Sequence, residues 1–214
     1  MRTSDNGIFA LALHEGIVPA PYLDSVSVWT YGIGHTAAAG APSPADMAKG
    51  NPQDVDAAVR AAVRVFRSDL AKYEAAVERA LRVPVEPHEF DALVSFHFNT
   101  GGIGKASLTR LLNSGDRAGA ADGFMGWRRP AAIIPRREAE QRLFRDGIYP
   151  SGSVPIYAVT ADNKPGRVID RMDRAEFLAM LSPGPGLRPQ PRPTGNFWED
   201  VAGLFRAIIR GKSQ

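Results

Sequence analysis

Between residues 54 and 82 the side chains of Val55, Val59, Val63, Phe66, Leu70, Tyr73, Val77 and Leu81 recur every three or four positions. That period puts them on one face of a helix, and an apolar stripe of this length has to be covered by other elements. The run is long enough to be two helices, with a break near Ser68-Asp69, where either residue can cap; Pro84 and Pro87 end it. The covering elements are legible on both sides. Helices are predicted over residues 4–16, with Ile8, Leu11 and Ala12 on one face and Ser4 or Asp5 as cap, and over 87–99, with Phe90, Leu93, Val94 and Phe98 as the stripe and Gly101-Gly102 as the stop. Shorter helices follow at about 105–113, 116–127, 135–145 and 173–181. Residues 22–36, rich in Tyr, Val, Trp, Thr and Gly, read as short strands and turns, 37–53 as a loop with one helical turn, and 154–160 as a strand.

The fold class is therefore α+β and mostly helical, with a small β-hairpin in the N-terminal part. With 214 residues the chain can bury a core without disulfides or structural metal. It has no cysteine, which excludes disulfide scaffolds, thiolate zinc sites and cysteine nucleophiles. No apolar run approaches the ~18 residues of a spanning helix. Ile8 to Leu13 is too short for a signal peptide and no basic region precedes it, so synthesis in the cytosol is expected, with release by some other route.

The net charge of +3 is unevenly placed. Arg188, Arg192, Arg206, Arg210 and Lys212 face only Glu199 and Asp200 within residues 182–214, so the rest of the chain is balanced. A balanced body offers no basic face for nucleic acid. Residues 182–195 hold five prolines and three glycines and read as a semi-stiff linker. An amphipathic helix is expected over 196–214, with Phe197, Val201, Leu204, Phe205 and Ile208 on one face. The expected division is a body over 1–181, the linker, and a basic helix suited to an anionic membrane or outer-membrane surface; docking on the body and binding a partner protein stay open.

Several chemistries lack their residues. His88-Glu89-Phe90-Asp91 is followed by Ala92, so the zinc motif His-Glu-x-x-His is not formed, and no metal is expected. Gly32-Ile33-Gly34 has no βαβ unit around it, and there is neither a Walker loop nor a Gly-x-Ser-x-Gly elbow. A carboxylate mechanism remains. Glu15 closes the first predicted helix behind apolar residues, surroundings that would favour the protonated form a general acid needs. Asp24 opens the hairpin and Thr30 follows beside Trp29 and Tyr31. An acid, a second carboxylate and a hydroxyl converging from a helix end and a hairpin is the arrangement used in glycoside hydrolysis. Each residue has an ordinary alternative: a solvated charge, a turn residue, a strand residue.

The residues around them carry more. His14-Glu15-Gly16, Tyr22-Leu23-Asp24 and Trp29-Thr30-Tyr31-Gly32-Ile33-Gly34-His35-Thr36 resemble the N-terminal signature of phage-type lysozymes, glycoside hydrolase family 24. Phe90 to Gly101, Ser107 to Asp116, and Trp127 with Arg136-Arg137-Glu138-Ala139-Glu140 and Leu143-Phe144 resemble its later segments, in order over about residues 5–149.

The resemblance implies a two-lobed lysozyme-like fold with the glycan between the lobes. It implies a peptidoglycan muramidase, without cofactor, that cuts between N-acetylmuramic acid and N-acetylglucosamine with inversion. Glu15 matches the acid, Asp24 the second carboxylate, and Thr30 the residue that holds the attacking water. A monomer acting on the wall after holin-type release is expected. Ser27 stands where the family usually has glycine, so a turn needing positive φ would be strained there. Tyr31 is a sugar-stacking candidate. His35 either lines the cleft or packs the hairpin, and Asn99 either contacts sugar or caps its helix. Arg136 and Arg137 are expected to stabilise the C-terminal lobe, and Trp127 to lie in the core. A lytic transglycosylase and a non-catalytic wall-binding protein stay open as alternatives.

Overall fold

The computed structural model describes residues 1–181; the expected linker over 182–195 and helix over 196–214 lie outside the described residues. Helix α1 (Asp5–Glu15) begins where the Ser4 hydroxyl accepts the Gly7 N–H, and it ends at Gly16, whose φ of +70° breaks the helical path. Gly7 to Ala12 are all buried, because α1 is apolar around its circumference and elements pack on several sides of it. One anchor is polar. Asp91, on α3 (Pro87–Thr100), accepts the backbone N–H of Ser4 at 2.9 Å, the Ser4 hydroxyl at 2.5 Å and the Tyr149 hydroxyl at 2.7 Å. Burial raises the Asp91 pKa even though these three bonds oppose the rise. A Cβ on Gly7 would stand 2.4 Å from the Asp91 carboxyl carbon, so the close approach requires glycine.

Strands β1 (Val18–Leu23), β2 (Trp29–Gly32) and β3 (His35–Thr36) form an antiparallel sheet in that order. Between residues 37 and 53 the chain makes two short 3₁₀ turns, Ala37–Ala39 and Pro44–Asp46, where one helical turn was expected. Helix α2 then runs unbroken from Val55 to Ala80, capped by Asp54. The break expected at Ser68-Asp69 does not occur. The Asp69 carboxylate is engaged by His35 at 2.7 Å and does not turn back to cap a new helix. Val59, Val63, Phe66, Leu70 and Val77 of the predicted stripe are buried in the main core.

Helix α3 starts with a reciprocal pairing of Glu86 and Glu89 and stops at the left-handed Gly101. Helices α4 (Ser107–Asn113), α5 (Arg117–Gly123) and α6 (Ile134–Asp146) complete the helical lobe; a 3₁₀ turn, Phe124–Trp127, takes up the last part of the expected 116–127 helix. Beyond it lies a second hairpin, β4 (Val154–Val159) and β5 (Pro165–Met172), then α7 (Arg174–Leu181). Strand β5 has no counterpart in the sequence reading. Of its residues only Met172 is buried, so it lacks the apolar alternation that signals a strand. β4 lies alongside β1, with a parallel bridge between Ile17 and Ile156, and Phe177 of α7 meets Phe9 of α1 edge to face at 5.6 Å.

Candidate active site

Glu15 is the last residue of α1, its side chain 27% exposed. Its immediate partner is not hydrocarbon, as the sequence reading expected, but a cation. Arg136, the third residue of α6, donates from Nη1 to Glu15 Oε1 at 2.5 Å. The same guanidinium donates from Nε to Glu140 Oε1 at 3.1 Å and from Nη2 to the Ser95 carbonyl at 3.3 Å. Glu140 is 2% exposed and also accepts the Ser95 hydroxyl at 2.7 Å. Arg137, fully buried, pairs with it at 2.9 Å. Burial acts on the two in opposite senses, raising the Glu140 pKa and lowering that of Arg137, and their mutual attraction opposes both changes. Beside Glu15, burial and then the charges of Arg136 and Arg137 lower the His14 pKa to about 4, so this imidazole is neutral near pH 7.

Asp24 is held by its own turn. Its Oδ1 accepts the N–H groups of Val26 at 2.9 Å and Val28 at 2.8 Å, and its backbone N–H donates to the Val28 carbonyl. Val28 also ties in Thr30, whose hydroxyl donates to the Val28 carbonyl at 3.1 Å. Ser27 adopts φ +62°, so the turn does need the left-handed conformation, at a cost of about 1 kcal/mol for a non-glycine residue.

Tyr22 lies on β1 opposite Thr30. Burial, then the charges of Glu15 and Asp24, push its phenol up to about 12. Glu15 precedes β1, Asp24 follows it, and Thr30 stands on the adjacent β2.

The structure does not bring the other candidates with them. Tyr31 is 3% exposed, too buried to stack on a sugar, and its hydroxyl reaches the Ala58 carbonyl at 3.4 Å. His35 is 1% exposed and packs the hairpin: Nδ1 meets Asp69, and Nε2 meets the Pro42 carbonyl at 2.7 Å. Asn99 does not cap α3, since Gly101 does; its Oδ1 accepts a bond from Arg137 Nη2 at 2.7 Å, and the residue is exposed. Trp127 packs edge to face on Phe96. Sequence reasoning missed the contact of Arg136 with Glu15, residues 121 positions apart, and the burial of Tyr22 within the field of both acids. No local pattern announces the first; for the second, the adjacency of Tyr22 to the Asp24 turn was the available signal. Among the described residues no group of three or more His, Asp or Glu side chains is placed to hold a metal ion.

A family model described as phage lysozyme matches residues 12–140. The endolysin of Salmonella phage P22 is 33% identical over 150 residues, which span 67% of this chain and 98% of that protein. Among solved structures, the endolysin of Escherichia coli O157:H7 phage FAHEc1 is 26% identical with a TM-score of 0.62, over 71% of this chain and 98% of that one. A variant of P22 lysozyme is 31% identical with a TM-score of 0.58, over 67% and 98%.

Proposed function

Because the chain belongs to the phage lysozyme family, we propose that Glu15, Asp24 and Thr30 carry the hydrolysis of the β-1,4 bond between N-acetylmuramic acid and N-acetylglucosamine, with inversion. The chain is a lysozyme with a two-lobed α+β fold, a glycoside hydrolase whose substrate is peptidoglycan and whose function is host cell lysis. The observation that carries the assignment of residues is the placement of Glu15 and Asp24 at the two ends of the segment that holds β1, with Thr30 on the neighbouring β2 tied to the Asp24 turn through Val28.

In this reading Glu15 gives its proton to the leaving oxygen, and the Asp24 carboxylate stabilises the positive charge that develops on the sugar ring and takes the proton that the attacking water gives up as its oxygen bonds to the anomeric carbon. The Thr30 hydroxyl hydrogen is spent on the Val28 carbonyl. Its oxygen lone pairs remain to accept from a water, orienting that water for attack on the opposite face of the sugar. Arg136 orients the Glu15 carboxyl, and Asn99 is left as the sugar-contact candidate that is exposed. Among the described residues no helix is long and apolar enough to cross a membrane. We place synthesis in the host cytoplasm, release through a holin-type pore and action on the wall as a monomer. The expected basic segment 196–214, outside the described residues, would direct the enzyme to anionic envelope surfaces.

The test is digestion of purified peptidoglycan by the wild type and by Glu15→Gln, with the muropeptides identified by mass. Products with reducing-end muramic acid from the wild type, and at least a thousandfold fewer from the variant, are expected; a loss on the order of 10³ corresponds to about 4 kcal/mol of barrier. Anhydro-muramic products would make the enzyme a transglycosylase. Equal turnover by both proteins would remove Glu15 from its role.

A further inference from the structure

The segment that joins Glu15 to Asp24 is poorly secured on its β2 side. Strand β1 pairs Val18 with Gly32 and Tyr22 with Thr30, so the register slips between them, with four steps along β1 against two along β2. Pro19 and Pro21 lie in that interval and have no N–H to give a ladder. A strand that bulges in this way can shorten or lengthen, and the spacing of the two carboxylates would change with it.

The other edge of the segment is gripped at both ends by β4–β5. Two residues after Glu15, the Ile17 N–H donates to the Pro155 carbonyl at 2.9 Å, and the Ile17 carbonyl accepts the Tyr157 N–H at 2.8 Å. One residue before Asp24, the Leu23 N–H donates to the Asn163 carbonyl at 2.6 Å. Asn163 lies in the turn between β4 and β5, at φ +56°.

Between these anchors the Tyr157 ring covers Gly16 so closely that a Cβ there would stand 2.6 Å from the ring. Tyr157 and Tyr22 also pack on a small cluster of Val18, Ala20 and Val159. The hairpin is itself fastened. The Asn51 side chain accepts the Val159 N–H at 2.7 Å and donates to the Val159 carbonyl at 2.9 Å. All of β4 and β5 lies beyond residue 140, where the family match ends.

We propose that the β4–β5 hairpin is a positioning element of the active site, which fixes the separation of Glu15 and Asp24 by clamping the segment between them, with Tyr157 as its principal positioning residue. The proposal rests on the muramidase reading above. Its chemical basis is that inverting glycosidases need their carboxyl groups held ~6.5–9.5 Å apart, and that a displacement of about 1 Å at a catalytic group can lower the rate on the order of a hundredfold.

The experiment measures kcat and KM on soluble peptidoglycan fragments for the full-length wild type, Tyr157→Ala, Tyr157→Phe and Asn51→Ala. Each is assayed at a temperature well below its own melting point. Tyr157→Ala is expected to lower kcat about tenfold with KM within about twofold, and Tyr157→Phe, which keeps the ring, to retain wild-type kcat. Asn51→Ala loosens the same clamp from a different loop and is expected to lower kcat about threefold; it also stands in if Tyr157→Ala does not fold. A folded Tyr157→Ala with unchanged kcat would show the hairpin to be structural only and overturn the proposal. An active wild type with unaltered variants overturns this proposal alone. A wild type that releases no muropeptide overturns the muramidase reading, and the clamp with it.

Discussion

Glu15 and Asp24 are held in opposite ways. The Asp24 carboxylate is fixed by N–H groups two and four residues along its own turn. Glu15 is fixed by Arg136, 121 residues away, and Arg136 is fixed in turn by Glu140 and the Ser95 carbonyl. A local clasp forms as soon as its few residues meet. A remote one exists only when two lobes are packed and a buried set of charges is complete. The difference teaches where each acid is vulnerable: Asp24 to changes in its own turn, Glu15 to changes in the far lobe.

Removing the remote clasp should do most damage. Arg136→Leu takes one guanidinium from Glu140, which is 2% exposed, and frees Glu15. Destabilisation by about 3 kcal/mol is expected, as for one partner removed from a buried ion pair, together with loss of muramidase activity; urea unfolding and peptidoglycan digestion measure the two. An Arg136→Leu variant as stable as the wild type would erase the contrast.

The next test concerns the junction between sheet and helices. Both ring nitrogens of His35 face acceptors. Burial works against the charged imidazolium, but the bonds to Asp69 and Pro42 and the Asp69 charge outweigh it, so the His35 pKa is raised. The pair therefore stabilises the fold fully below the ordinary imidazole range, and that contribution is lost as pH rises through the raised value. Asp69→Asn should cost about 2 kcal/mol at pH 5 and clearly less at pH 8, read from melting curves at the two pH values.

The smallest effect on stability belongs to the local clasp. Asp24→Ala should cost about 1 kcal/mol, because the freed N–H groups are exposed and return to water, while activity falls sharply. A loss of 3 kcal/mol would mean that the turn is not the self-contained unit it looks.

The same division explains what was legible in the sequence. The α2 stripe, the cap at Ser4 and the Gly101 stop depend on neighbours within a few residues and were readable, and the glycine usual in the family pointed to the positive φ at Ser27; the Asp54 cap of α2 is equally local but was not read. The continuity of α2 was not readable, because it turns on where Asp69 sends its carboxylate, and that partner is 34 residues away. Strand β5 was hidden because it is held by its ladder to β4 and buries little. Tyr31 looked like a cleft residue, and His35 was left between the cleft and the hairpin packing, because both stand in the segment that resembles the family. Both side chains point into the packing between sheet and α2, and strands of four and two residues are too short for alternation to reveal that.

The contact between Phe9 and Phe177 has a consequence for the order in which the molecule is made. Helix α1 leaves the ribosome before its packing partners α3, β4 and α7, and α7 is among the last of the described residues to emerge. Domains made N-terminus first begin to organise locally during synthesis, but α1 has too few early partners to bury its apolar circumference. A nascent chain therefore already carries Glu15 and Asp24 while the helix beneath Glu15 is still unsecured. The packing beneath Glu15 is complete only once α7 has emerged.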